Sequence, residues 1–195
     1  IIENMITLFL IALLPLGSFG QLVLGFCPEP PKFIKDLNLE KYSGKWYAVA
    51  QSRYHPMGAQ SCQFVEYTPR SEDGFDVHYE AIGSPFYDKK ETGGKMHRET
   101  GKSPGELKLK MEDLAISLQF RVLHVDYSDV AVEYTCLPGV LSPLLSVTVL
   151  QRKPPAQGSN LHSVLESLNL SNVIPQDLKE NMLLINNNDC QNRNY

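Results

Sequence analysis

Gly44-Lys45-Trp46-Tyr47-Ala48-Val49-Ala50-Gln51 is the stretch whose reading decides the fold. Just before it, Leu37 to Tyr42 mixes apolar and charged residues over a single helical turn, and Gly44 ends that turn. From Lys45 the period becomes two. Trp46, Ala48 and Ala50 fall on one face, and Tyr47, Val49 and Gln51 on the other, the alternation of a β-strand.

Downstream the same signal recurs. Strand-like runs cover Cys62 to Thr68, Phe75 to Ile82, Lys95 to Thr100, Leu107 to Met111, Ser117 to Asp126, Val130 to Cys136 and Ser146 to Gln151. Between them stand turn residues such as Ser71-Glu72-Asp73-Gly74, Gly83-Ser84-Pro85 and Tyr127-Ser128-Asp129. Connections this short favour antiparallel neighbours, because a parallel crossover needs a dozen or more residues. The long connection is Ser52 to Ser61. Eight short strands in meander order predict an all-β fold, as a closed barrel or a two-sheet sandwich; both show this periodicity. After Pro154-Pro155, Ser159 and Asn160 can cap one amphipathic helix with Leu161, Val164, Leu165 and Leu168 on its stripe, packed outside the sheet. Asn169-Leu170-Ser171 is an N-glycosylation sequon. The Asn-rich tail from Asn186 has only Cys190 to tie it down, and residues 191–195 are expected to be disordered.

Upstream, Met5 precedes the apolar run Ile6 to Leu14, with small residues at Gly17, Ser18, Gly20 and Gly25. This predicts a signal peptide within residues 1–25, cleaved after Gly20 or Gly25, with Ile1 to Asn4 lying upstream of the true start. A membrane span needs about 20 mostly apolar residues, and Pro15, Gly17, Ser18 and Gln21 interrupt this one. The rest, residues 26–190, has the length of one compact domain. The net charge of -4 and the lack of a basic cluster exclude a nucleic-acid footprint. Cys27, Cys62, Cys136 and Cys190 contain no C-x-x-C pair; in an exported chain they predict two disulfides, and spacing alone leaves three pairings open. His55, His78, His97, His124 and His162 are scattered without H-x-x-x-H spacing, so no metal site and no cofactor is expected. His78, between Val77 and Tyr79, should face outward.

These features resemble the lipocalin family. Gly44-Lys45-Trp46 matches its G-x-W signature at the start of the first strand. Val125-Asp126-Tyr127, after the sixth strand, is close to its Thr-Asp-Tyr turn, and Arg152 stands at the end of the eighth strand. Phe26-Cys27-Pro28-Glu29-Pro30-Pro31, Tyr42-Ser43-Gly44-Lys45-Trp46-Tyr47, Cys62, Glu133-Tyr134-Thr135-Cys136 and Cys190 are most similar to the apolipoprotein D and bilin-binding branch. Two departures are Val125 in place of Thr and Trp46 as the only tryptophan, where that branch often has another in the eighth strand.

The resemblance implies an eight-stranded antiparallel up-and-down β-barrel, with disulfides Cys27–Cys136 and Cys62–Cys190. Gly44, Trp46, Asp126, Tyr127 and Arg152 would be structural, with the Arg152 guanidinium stacked across the indole, worth about 0.5–2 kcal/mol. It also implies a secreted protein that binds and transports a small hydrophobic ligand: a bilin, carotenoid, sterol, retinoid or fatty acid. Inward positions would be Gln63, Val65 and Tyr67 on the second strand, Phe75, Val77, Tyr79 and Ala81 on the third, and Ser146, Thr148 and Leu150 on the eighth, with Tyr42 at the pocket edge. Loops at Arg53 to Met57 and Ser84 to Tyr87 could admit ligand or contact a membrane or receptor. Two alternatives compete with a carrier that catalyses nothing. One is an isomerase using a free cysteine, for which Cys62 is the nearest candidate. The other is a secreted interaction or storage protein whose pocket is filled by side chains.

Overall fold

A computed structural model of the chain describes residues 25–30, 32–56, 58, 61–71, 73–82, 89–112, 116–153 and 160–187. The segment expected to be a signal peptide, apart from Gly25, and the tail beyond Asn187 lie outside the described residues, as do residues 83–88. The predicted helical turn is α1 (Leu39–Tyr42); the Asn38 side chain caps it, accepting from the Lys41 N–H at 2.9 Å. Eight strands follow: β1 (Gly44–Ser52), β2 (Ser61–Ser71), β3 (Gly74–Ile82), β4 (Lys89–Arg98), β5 (Leu107–Met111), β6 (Ser117–Val125), β7 (Val130–Leu137) and β8 (Leu144–Gln151). Each from β2 onward pairs antiparallel with the next, and β1 pairs with both β8 and β2. The meander therefore closes on itself, which decides for the barrel and against the sandwich. Closure covers the sheet edges of these strands except along the second half of β1, beyond its pairing with β2.

Beyond the barrel come α2 (Leu161–Ser167), α3 (Gln176–Lys179) and β9 (Met182–Leu184). The predicted helix is α2, capped by Asn160; it is a residue shorter than expected, since Leu168 is already its C-cap. The turn α3 and the strand β9 are elements that the sequence pattern does not predict. Three apolar residues are too few to show a period, and β9 exists because β1 offers it an edge. β1 pairs with β2 over Gly44–Tyr47 and then with β9 over Ala50–Ser52, on the side that β2 leaves. The chain entering the tail is held to β1: the Ile185 N–H donates to the Val49 carbonyl, and Asn187 Nδ2 to the Ala48 carbonyl. β4 also begins six residues before the expected Lys95. Lys89 to Gly94 is charged and glycine-rich, a poor strand by propensity, but β3 templates it residue for residue from Ile82 to Val77. Gly94 is required there, because a Cβ would sit 2.9 Å from Leu109 Cδ1 and from the Lys110 carbonyl.

Two apolar clusters hold the molecule. The first fills the barrel and includes Trp46, Val65, Tyr67, Phe75, Val77, Met96, Leu109 and Phe120. The second lies outside the wall, where Val49, Val132, Tyr134, Val147 and Val149 meet Leu165, Leu170, Ile174 and Met182. Strands β1, β7 and β8 are thus buried on both faces, which is why they read as nearly continuous apolar runs. A bulge in β1 between Ala48 and Ala50 breaks the strict alternation. Val49 and Ala50 both join the outer cluster, and Gln51 turns inward opposite Thr148. The expected grouping of Ala50 with Trp46, and of Gln51 with Tyr47, is corrected by that extra residue.

The Cys27–Cys136 disulfide forms as the resemblance implied and ties the amino-terminal arm to β7. Cys62 is also disulfide-bonded; Cys190, its implied partner, lies outside the described residues.

Candidate ligand-binding site

The site is built on the closed end of the barrel. Gly44 enters β1 at a φ of +93°, a left-handed conformation that a side chain resists. Trp46 follows, fully buried, its indole Nε1–H donating to the Tyr42 carbonyl at 2.9 Å. The Arg152 guanidinium lies 3.7 Å from the indole centroid, the predicted cation–π contact. Arg152 also donates to backbone carbonyls of Lys41 (2.9 Å), Ser43 (2.9 Å), Lys45 (3.2 Å) and Tyr127 (3.1 Å). One side chain thereby ties α1, β1 and the β6–β7 turn together. In that turn Asp126 Oδ1 accepts from the N–H groups of Ser128, Asp129 and Val130. Burial would raise the Asp126 pKa, but these three donors outweigh it and hold the carboxyl below its usual range. Tyr127 takes a φ of +66°, and its hydroxyl accepts from the Asn38 N–H at 3.2 Å.

Above this floor Tyr42, Tyr67 and Phe75 form an aromatic layer, with ring centroids 5.2–6.3 Å apart. Two of its hydroxyls point to one acceptor. Tyr42 and Tyr67 each donate to Glu133 Oε1 at 2.6 Å. Glu133 is a buried carboxyl on the inner face of β7, opposite Thr148. Burial pushes its pKa up to about 7, against the two phenol hydrogen bonds, which lower it. Burial first, then the Glu133 charge, raises the phenols of Tyr42, Tyr67 and Tyr79, so all three stay neutral.

A cavity of about 10 Å³ lies above, lined by Ala48, His55, Gln63, Val65, Tyr79, Glu133, Thr148 and Leu150. That is room for about one water molecule. His55 reaches it from the β1–β2 connection. Its carbonyl accepts from the Gly58 N–H at 2.8 Å, and the Gly58 carbonyl accepts from Gln51 Nε2 at 2.6 Å, so a residue of the barrel interior fastens the loop. Burial pushes the His55 pKa down to about 4, leaving it neutral. Five buried polar atoms on the inner wall have no hydrogen-bond partner: Gln51 Oε1, Gln63 Oε1, Thr92 Oγ1, Thr135 Oγ1 and Ser146 Oγ. Register sets Thr135 opposite Ser146, and places Thr92 opposite Tyr79 and Gln51 opposite Thr148, both of which line the cavity.

Of the predicted pocket residues, Gln63, Val65, Tyr79, Thr148 and Leu150 line the cavity. Tyr42, Tyr67, Phe75 and Val77 lie in the packed core of the barrel. Tyr42, on α1, has its ring inside the closed end of the barrel, where its hydroxyl donates to the cavity-lining Glu133. Ala81 and Ser146 are buried but do not line this cavity. Sequence reasoning missed Ala48, His55 and Glu133 as lining residues. For Glu133 a signal was available, since it is the one charge in the apolar run Val130 to Cys136, in phase with Ala131 and Thr135. His55 comes from a loop fold that no periodicity encodes.

His78 is half-exposed on the outer wall as expected. There His78, Glu80 and Glu91 bring ligand-type atoms within 4.8 Å of one another, but the Lys89 ammonium already bridges the two carboxylates. Asn169 is exposed, at a φ of +55° just past α2. No helix among the described residues is long and apolar enough to cross a membrane.

No protein-family model matches the sequence, and no curated protein matches it. Solved structures do. Insecticyanin from the tobacco hornworm Manduca sexta is 18% identical, with 85% of this chain and 88% of that chain covered at a TM-score of 0.62. Lobster apocrustacyanin A1 is 17% identical, with 77% and 79% covered, at 0.60. The cockroach allergen Per a 4 is 15% identical, with 87% and 99% covered, at 0.58.

Proposed function

We propose that this chain, whose fold is that of the lipocalins, carries a small hydrophobic molecule inside its barrel, outside the cell, and catalyses nothing. The observation that carries the reading is the set of five unpartnered polar atoms on the inner wall, one of which, Gln63 Oε1, belongs to the lining of a cavity. A core that only fills space has no use for them, since each buried unpaired group costs about 1–3 kcal/mol. A bound molecule with an apolar body and a polar group would satisfy both the wall and these atoms. The disulfide-bonded Cys27 and Cys136 support an oxidising, extracellular setting, and exposed Asn169 is available for a glycan. The candidates are a bilin, carotenoid, sterol, retinoid or fatty acid. An absorption spectrum and a native mass spectrum of the protein purified without denaturation test this. A bound mass is expected, and a visible band would assign a pigment. No bound mass and no uptake of the neutral dye Nile red would end the carrier reading.

The small cavity supports a second reading, an interaction or storage protein whose barrel is filled by side chains. In the carrier reading the His55 side chain and the wall must part on loading, so dye uptake separates the two. The disulfide-bonded state of Cys62 favours the carrier over the isomerase alternative, which needs a free thiolate.

A further inference from the structure

The polar groups of the cavity are not a neutral assortment. Glu133 and Gln63 contribute a carboxylate and an amide oxygen to its lining, and the Gln63 oxygen, like that of Gln51 opposite Thr148 in the adjoining wall, is without a partner. Gln51 and Gln63 are 0% and 4% exposed, so bulk water does not serve them. The two phenols that hold Glu133 both donate to Oε1, leaving Oε2 as the oxygen they do not occupy. The remaining polar groups of the lining, the Thr148 and Tyr79 hydroxyls and the neutral His55 imidazole, can each accept or donate. Among the described lining residues none is Lys or Arg; Arg152 is stacked on Trp46, in the floor. An anion placed here would meet a buried carboxylate with no countercharge, which is costly in a low-dielectric interior. A nitrogen bearing protons meets acceptors on several sides. The cavity is also the size of one water, about that of an ammonium or ring N–H group.

Resting on the carrier reading, we propose that this cavity is the socket for the polar end of the ligand, and that this end is a nitrogen hydrogen-bond donor, an amine above all, rather than a carboxylate. The apolar body then lies toward the His55 side. Of the carrier's general classes this disfavours fatty acids and retinoic acid bound head-first.

Three probes of one shape test it on the full chain by isothermal titration: 2-phenylethylamine, 2-phenylethanol and phenylacetate. At pH 8 the amine should bind about tenfold or more tighter than the alcohol, with phenylacetate weakest. From pH 8 to pH 6 the amine should weaken about tenfold as Glu133 takes up its proton. The other titratable groups facing Glu133, Tyr42 from α1, Tyr67 from β2, Tyr79 from β3 and His55 from the loop, stay neutral over that range. Glu133→Gln should abolish both the preference and its pH dependence, and Gln63→Leu should reduce the preference with the carboxylate intact. The wild-type ranking stands as a test if either variant fails to fold. Phenylacetate binding as tightly as the amine, or a preference unchanged in Glu133→Gln, overturns the proposal. If Nile red binds while the three probes bind alike, the socket fails and the carrier survives; if nothing binds, both fail.

Discussion

Arg152 does two jobs with one planar group: its face covers the indole of Trp46, and its edge collects carbonyls from three segments. Removing it strips a cation–π contact and leaves partly buried carbonyls unserved. Arg152→Ala should cost about 2–4 kcal/mol in a urea titration. Arg152→Lys should recover only part of this, because an ammonium cannot present the fork. At Gly44 the backbone is left-handed, and an alanine Cβ would stand 3.3 Å from Arg152 Nη1. Gly44→Ala should therefore lose about 1–2 kcal/mol in the same titration. Both residues were legible in the sequence, as the G-x-W signature and the arginine closing the last barrel strand. The carbonyl clamp was not, since it depends on where α1 and the β6–β7 turn meet. Glu133 was half legible: the strand pattern assigns it a face, but only the closed barrel brings Tyr42 and Tyr67 to it.

At the level of elements, β3, β5, β6 and β7 were read to within a residue at each end, because turn residues bound them and their own alternation or apolar run marks them. Those missed, the first half of β4 and the whole of β9, are held by the backbone of a partner strand and carry little pattern of their own. The β1 bulge belongs to the same class, because one extra residue reverses every later side chain and sequence alternation cannot show where it falls. The amino-terminal arm is a separate matter. It has little regular structure and is fixed to β7 through Cys27–Cys136, closing a sequence separation of 109. The Cys27→Ser, Cys136→Ser double variant should lose about 2–5 kcal/mol against denaturant. An unchanged midpoint would mean that the backbone pairing of Gly25 with Gly139 suffices to hold the arm.

For the molecule as a whole, two buried titratable groups pull stability in opposite directions with pH. Glu133 has a folded pKa of about 7 against an ordinary 4.5. The folded state therefore binds the extra proton between those values, and stability falls as pH rises from about 4.5 to 7. His55 has a folded pKa of about 4 against 6.5, so the unfolded state binds the extra proton and stability rises from about 4 to 6.5. The two nearly offset below pH 6.5. Comparing variants isolates one of them: Glu133→Gln should gain on the wild type by about 2–3 kcal/mol between pH 5 and pH 8 in chemical denaturation. An equal difference at both pH values would place the Glu133 pKa near its ordinary value. The barrel floor has an optical consequence too. Trp46 is the only tryptophan among nine tyrosines, and the Tyr42 ring is 5.4 Å from it. Ultraviolet light absorbed by the phenols of the closed end should pass to this one indole. The emission of the whole protein then comes from a single point beneath the cavity, shielded from water, and should move to the red only when the floor itself opens.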